Sequence, residues 1–466
     1  MASAPVTGRV AVRGEPVKLS GSAAARAEFL ASFFSRLKAK GLPLCVLHGH
    51  ERLPYEITSD VDCLVRPADW PRVLRELCDH CRESGWRIAN AIRYGVTSIY
   101  LCLAGDFRNG KLDNLAVDIS TDYPNRLLFY RSNEVMDVAV QIGDMLVPPP
   151  AVQFTYYLLR KILKRQLNGQ HARMLSAIYR SDPKKSEWEL GRFFAHREVQ
   201  MITAGARYCQ WDEVRTQLPN LRYSLIWRLW RRTPVKTVAY LLCDMMRLAR
   251  RWAKPTGFWI AVLGPDGSGK STVLDHLSTV ISPLFWRMER MHFRPGVIGK
   301  PRAGAEAAVN PHGRAPYGMF LSVAKVGHLA ADYLLGYFLR LRPHLARSGL
   351  LLSDRCYHDL LVDPRRYRYA GPLVLARAVG AVLPRPDLFV FLDAPEEVLL
   401  ARKRELAREE LARQRRAYLA LAGRIRPSVV VDASQPLEDV VRAACEAVLT
   451  VLERRTLARL GLGGKA

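Results

Sequence analysis

Hydrophobic and polar positions divide the chain into stretches of different period. Residues 1 to about 25 are small and polar and predict a flexible tail. From Arg26 to Lys40, the residues Phe29, Leu30, Phe33, Phe34 and Leu37 recur on one stripe and predict an amphipathic helix. Short apolar runs predict strands near 43–47 and 61–65, and a helical pattern covers 70–83. Strands are expected again near 98–103 and 115–119. These elements make a small α/β unit, 26–150, that ends at the break Pro148-Pro149-Pro150. From Ala151 the period is helical as far as Trp252, which predicts a helical connector over 151–255. Beyond Phe258 strands and helices alternate. Strands are expected at 258–263, 350–353, 388–392 and 428–431, with a helix from Ser271 and a closing helix over 437–452. This alternation predicts an α/β fold with a doubly wound parallel sheet over 256–456, followed by a tail, 457–466.

Composition narrows the picture little. A chain of 466 residues is longer than one ordinary core serves, in keeping with several units. Hydrophobic content of 49% and charged content of 24% are globular values and exclude wholesale disorder. The net charge of +26 attracts polyanions, whether nucleotide phosphates, nucleic acid or an anionic membrane face. No stacking platform or helix-turn-helix pattern supports nucleic acid as a partner. The 9 cysteines are scattered, and Cys78-Asp79-His80-Cys81 lies in a helical pattern without a second ligand pair. Reduced thiols in a cytoplasmic protein are therefore expected. Met1 to Glu15 lacks the apolar centre of a secretory signal. No apolar run reaches the roughly 18–20 residues of a spanning helix, so any membrane contact would be peripheral, at the inner face.

The chemistry concentrates after Leu263. Gly264-Pro265-Asp266-Gly267-Ser268-Gly269-Lys270-Ser271-Thr272 matches G-x-x-x-x-G-K-[ST], with an apolar strand before it and a helical pattern after it. Its glycines let backbone N–H groups converge on a phosphate. Lys270 can reach the terminal phosphates, and Ser271 offers a hydroxyl to Mg²⁺. A second element, Leu350-Leu351-Leu352-Ser353-Asp354-Arg355, places an acid and a cation at a strand end, where ligands bind in doubly wound sheets. Asp354 can reach the metal shell or the acceptor, and Arg355 can neutralise phosphate charge; a surface salt bridge is the plain alternative. A third is an arginine-rich helix from Arg402. There Arg402, Arg404 and Arg408 are the candidates for a lid that clamps the phosphates, against the alternative of a solvated basic face.

In these residues, and in Pro386-Asp387-Leu388-Phe389-Val390-Phe391-Leu392-Asp393 and Val431-Asp432-Ala433-Ser434, the chain resembles the thymidylate kinase family of nucleoside monophosphate kinases over roughly 256–455. The resemblance implies ATP and Mg²⁺ as cofactors. It also implies that Asp432 to Gln435, including Ser434, wrap the adenine, and that the lid arginines close over phosphates flanked by Asp354 and Arg355. Arg294-Pro295-Gly296 stands where the family carries Arg-Glu-Pro-Gly, without the glutamate, and so implies an acceptor contact at Arg294. The segment Asp363 to Tyr369 replaces the usual thymine-pocket residues, which makes Arg366 and Tyr367 candidate acceptor contacts.

A second constellation lies upstream. Ser59-Asp60-Val61-Asp62 places two aspartates at i and i+2, on one side of a strand, and Asp118 lies on a later strand. Three such carboxylates can hold divalent metal for nucleotidyl transfer. With Gly49 upstream, the pattern resembles the polymerase-β-type nucleotidyltransferase superfamily over about 28–150, although His50 stands where that signature carries serine. The connector contributes two basic, aromatic segments, Arg222 to Arg232 and Val235 to Arg251, that suit either an anionic membrane surface or packing between domains. Packing is the expectation.

Together these readings predict an ATP-dependent phosphotransferase acting on a nucleoside monophosphate or a sugar or glycan acceptor. Chains joining the two modules resemble accessory enzymes of surface-polysaccharide biosynthesis, from which the sugar acceptor follows as an expectation. Two alternatives stay open: nucleotidyl transfer through Asp60, Asp62 and Asp118, and a nucleotide-binding regulatory protein peripheral to a membrane. Expected partners are a nucleotide and a small-molecule or glycan acceptor. The oligomeric state is not fixed by the sequence, and a homodimer is compatible with it.

Overall fold

A computed structural model describes residues 21–57, 60–124, 128–299, 315–403 and 407–463. Helix α1 (Gly21–Ala39) starts within the stretch read as tail, and buries the predicted stripe Phe29, Leu30, Phe33, Phe34 and Leu37. The N-terminal strands are β1 (Cys45–Val46), β2 (Val61–Leu64), β3 (Arg87–Arg93), β4 (Ser98–Arg108), β5 (Lys111–Ser120), β6 (Asp122–Pro124), β7 (Leu128–Arg131), β8 (Val140–Ile142) and β9 (Met145–Val147). Seven of them form one sheet in the order β3-β4-β5-β2-β1-β9-β8, and β6 and β7 pair separately. Helices α2 (Trp70–Glu83) and α3 (Ser132–Met136) complete this part. Strand β3 was not predicted. Its sequence, RIANAIR, has arginine at both ends and no alternation, because the residues between them are buried on both faces.

The connector consists of α4 (Pro150–Lys164), α5 (Gly169–Ser181), α6 (Pro183–Gly191), α7 (His196–Tyr208), α8 (Asp212–Arg232) and α9 (Pro234–Ala253). Its apolar core takes in Cys45, Leu47 and Leu64 of the N-terminal sheet region, so these helices are packed onto that sheet. Leu221, Leu225 and Leu229 of α8 join this core, as packing predicts, but the only buried residue of α9 is Thr237.

The C-terminal sheet is parallel throughout, in the order β11-β12-β10-β13-β14. Its strands are β10 (Phe258–Leu263), β11 (Arg287–His292), β12 (Gly349–Asp354), β13 (Leu388–Asp393) and β14 (Ser428–Asp432). Edge strand β11 was not predicted, because its sequence RMERMH is half charged and mostly solvent-facing. Helix α10 (Lys270–Ile281) covers one face. Helices α11 (Met319–Gly336), α12 (Arg342–Ala346), α13 (Asp359–Val362), α14 (Leu373–Val382), α15 (Glu396–Arg402) and α16 (Arg408–Arg424) follow. The closing helix α17 (Leu437–Leu460) overruns the predicted end at 452. The expected tail from 457 is corrected accordingly: Leu457 and Leu460 in the last turn, and Leu462 just beyond the helix, pack partly buried against the N-terminal core, and this packing favours helix through Leu460. One hydrophobic cluster joins α10, α17 and the C-terminal strands with Ala89, Cys102, Ala104 and Leu112 of the N-terminal sheet. Thr456 Oγ1 donates to Ala89 O at 3.0 Å across the same junction. Among the described residues, no helix is long and apolar enough to cross a membrane.

Candidate functional site

Strand β10 is buried along its whole length and delivers the glycine-rich loop to the head of α10. Close packing sets the loop's glycines. At Gly264 (φ +153°) a Cβ would lie 2.5 Å from Leu392 O, and at Gly267 (φ +84°) it would lie 2.8 Å from Leu399 O. Only glycine serves both positions. Ser268 Oγ is buried and makes no hydrogen bond, an orphaned polar atom in the loop's wall. Lys270 is buried, and its ammonium donates to Gly264 O at 3.0 Å and Pro265 O at 2.8 Å. Burial and the nearby Arg355 charge lower it to about 7, against the pull of Asp266. Ser271 and Thr272 are exposed in the first turn of α10. Ser271 Oγ donates to Asp354 Oδ2 at 2.9 Å.

Asp354 ends β12, and Arg355 follows it with φ +68°, a left-handed conformation that a side chain seldom adopts. That turn aims a buried guanidinium back at the loop. Arg355 donates to Asp266 Oδ1 at 2.5 Å and to Asp359 Oδ2 at 2.6 Å. Arg366 also reaches Asp266, at 2.6 Å. Burial would raise Asp266, but Arg355, Lys270 and Arg366 hold it well below the usual carboxylate range. Tyr367 donates to Asp359 at 2.7 Å and stacks on Phe293 with ring centres 4.3 Å apart. Tyr418 of α16 donates to the other oxygen of Asp359 at 2.5 Å. Asp359 and Tyr418 were not predicted; each lies in a helix, where its spacing carries no motif.

This arrangement fits a phosphate-rich ligand. It offers a glycine cradle, an unused serine hydroxyl, a lysine at the loop's centre and a hydroxyl–carboxylate pair able to hold a divalent cation. No family model matches the chain. Thymidylate kinases of Xanthomonas campestris pv. campestris strains B100 and 8004 are each 29% identical to it over 221 residues, covering 43% of this chain and 87% of the relative. That of Xanthomonas oryzae pv. oryzae strain PXO99A is 28% identical over 222 residues, with the same coverage. The P-loop region is thymidylate kinase-like. The similarity suggests a kinase, at a distance and over part of the chain.

Within this thymidylate kinase-like region the expected lid differs from a single helix running on from Arg402. Helix α15 ends at Arg402, α16 begins at Arg408, and Arg404 lies outside the described residues. Arg402 donates to Ala433 O at 2.8 Å, in the turn after β14. There Asp432 accepts from Ser434 N at 2.9 Å and Ser434 Oγ at 2.6 Å. Arg408 is exposed and engages Glu397 at 2.6 Å. Arg415, not singled out from the sequence, grips Asp393 at the end of β13 with two N–H groups, at 2.8 and 2.9 Å. Arg294 donates to Gly299 O at 2.8 Å, Ile298 O at 3.0 Å and the buried Asp332 at 3.2 Å. Asp332 in turn accepts the N–H groups of Gly296, Val297 and Ile298.

The N-terminal carboxylates also converge. Asp62 and Asp118 are register partners on the parallel strands β2 and β5, and Asp60 immediately precedes β2. Ligand oxygens of all three lie within 4.8 Å of one another. Asp62 engages Arg160 at 2.5 Å and His48 at 2.6 Å, and Tyr94 donates to Asp118 at 2.6 Å. Asp118 Oδ1 is buried without a hydrogen bond. Burial and the Asp62 charge push Asp118 upward, which a cation would reverse. A cavity of about 630 Å³ opens beside them, lined in part by His48, Gly49, Arg52, Asp60, Tyr157 and Arg173.

Proposed function

We propose that this chain is an ATP-dependent phosphotransferase that moves the γ-phosphoryl group of ATP to a nucleoside monophosphate. The observation that carries the reading is the Ser271 Oγ–Asp354 Oδ2 contact at 2.9 Å, where the phosphate-binding loop meets the acid at the strand end. In this reading Ser271 and Asp354 would hold Mg²⁺, which when bound neutralises charge on the phosphate oxygens. The loop's backbone N–H groups cradle the phosphates. Lys270 turns from the loop carbonyls to the transferring group, and Arg355 and Arg366 line the acceptor side through Asp266. An acceptor phosphate oxygen attacks the γ-phosphorus in line, the bond to the β–γ bridging oxygen breaks, and ADP leaves. Asp432 and Ser434 border the adenine, and Arg294 and Tyr367 border the acceptor.

The relatives' name supports a nucleoside monophosphate acceptor; a sugar or glycan acceptor rests on the two-module architecture alone. ATP consumption measured across nucleoside monophosphates, sugars and sugar phosphates tests the reading. ADP should form with at least one nucleoside monophosphate and fall to background in Lys270→Ala. Turnover with saccharides alone would replace the acceptor, and no turnover above the Lys270→Ala background would reject the kinase reading.

One observation favours a second activity. The clustered oxygens of Asp60, Asp62 and Asp118 beside a cavity support a divalent-cation site suited to nucleotidyl transfer. An Asp60→Asn/Asp62→Asn double variant that keeps full kinase turnover would separate this site from the first.

A further inference from the structure

Helix α9 is packed inside out. Thr237, Tyr240, Asp244, Arg247 and Arg251 recur every three or four residues and make its inward face. That face is held by polar contacts. Val96 N donates to Tyr240 Oη at 3.3 Å, Arg247 donates to Arg93 O at 3.1 Å, and Arg251 donates to Ser348 Oγ at 2.9 Å. The opposite face carries Val238, Leu241, Leu242, Met245, Leu248 and Trp252, each 45–66% exposed. A water-facing helix of a globular protein normally has these faces reversed. An apolar face spanning 20 residues, about 30 Å long, marks a surface that meets something else. On α8 just before it, Trp227 and Trp230 are about half exposed, with Arg231 stacked 4.5 Å from the Trp227 ring.

Charge chooses the partner. Between Arg222 and Lys254 the chain has nine basic residues, of which Arg231, Arg232, Lys236, Arg250 and Lys254 are exposed, and one acid, Asp244, whose carboxylate is taken by Arg247. A second copy related by twofold symmetry would set one such cationic face against another, with no acid to offset it. An anionic lipid surface complements both features: apolar side chains enter below the headgroups, tryptophans settle at the boundary, and arginine and lysine meet phosphate.

We propose that the outward face of α9, with Trp227 and Trp230, docks the protein on an anionic bilayer without spanning it. The proposal does not depend on the kinase reading. Full-length protein is sedimented with vesicles of phosphatidylcholine alone or mixed with phosphatidylglycerol. Binding should require phosphatidylglycerol, weaken with added salt, and blue-shift the tryptophan emission. Leu242→Glu/Met245→Glu should lower vesicle affinity about tenfold or more with an unchanged melting temperature, because both positions are exposed. Arg231→Ser and Lys236→Ser should each lower it about fivefold. Equal binding to both vesicle types, unchanged binding by the double glutamate variant, or a wild-type dimer that this variant dissociates in the absence of vesicle binding would each overturn the proposal.

Discussion

Asp266 in the glycine-rich loop and Arg355 beyond β12 meet at 2.5 Å, tying two segments that lie far apart in sequence into one buried ion pair. Arg355 also bridges to Asp359, so a single guanidinium holds two carboxylates, and Asp359 is fully buried. Arg355 makes both contacts from a left-handed backbone, φ +68°, a conformation whose cost the surrounding contacts must offset.

Arg355→Ala should therefore cost about 3 kcal/mol of stability, since it leaves Asp359 without its cation. Arg355→Lys restores charge but cannot fork between two acids, and should recover only part of the loss. Denaturant unfolding of the two variants measures this. If Arg355→Ala unfolds at the wild-type midpoint, the network has no structural role.

How much of this was legible in the sequence depended on where the information lay. The loop could be read because its glycines, lysine and serine sit at fixed offsets between a strand and a helix. Asp354-Arg355 could be read because an apolar run ends there in an acid and a cation. Asp359, Tyr418 and Asp332 could not, because a buried polar residue in a helix acquires its meaning from partners brought in by the fold. The direction of α9 was also hidden. Its period marks one apolar and one polar face, but only the contacts of Tyr240, Arg247 and Arg251 fix which of them turns inward.

Asp332 carries the next prediction. It is fully buried and accepts three backbone N–H groups, at 2.9, 2.7 and 2.7 Å, from the segment that begins at Arg294. Asp332→Ala strands those donors and should destabilise the protein by about 2–3 kcal/mol. In the proposed function it should also raise KM for the phosphoryl acceptor several-fold more than KM for ATP, because the glycine-rich loop rests on other elements. Equal changes in both constants would show that the segment does not border the acceptor.

The carboxylates of the N-terminal sheet make a prediction about metal. With three acidic side chains offering oxygens within 4.8 Å, Mn²⁺ or Mg²⁺ should raise the melting temperature in the absence of nucleotide. Chelation should reverse the rise. Asp60→Asn/Asp62→Asn should abolish it while Lys270→Ala retains it. If the double variant responds to metal as the wild type does, the cluster is not the binding site.

His358 gives the protein an acid-sensitive core. Its ring lies 5.3 Å from that of Phe389, edge-on, and burial together with the Arg385 charge lowers it to about 4. The unfolded chain returns it to an ordinary value near about 6.5. Between those two values the unfolded state binds more protons than the folded one, so stability rises with pH across this window and is lost as pH falls through it. From pH 7.5 down to pH 4.5 the loss attributable to this one group is about 2–3 kcal/mol. His358→Gln cannot titrate. The difference in unfolding free energy between wild type and this variant should therefore shift by that amount, against the wild type, as the pH is lowered. Denaturant titrations at the two pH values provide the comparison, and parallel losses in both proteins would mean that His358 is protonated in the folded state as readily as in the unfolded chain.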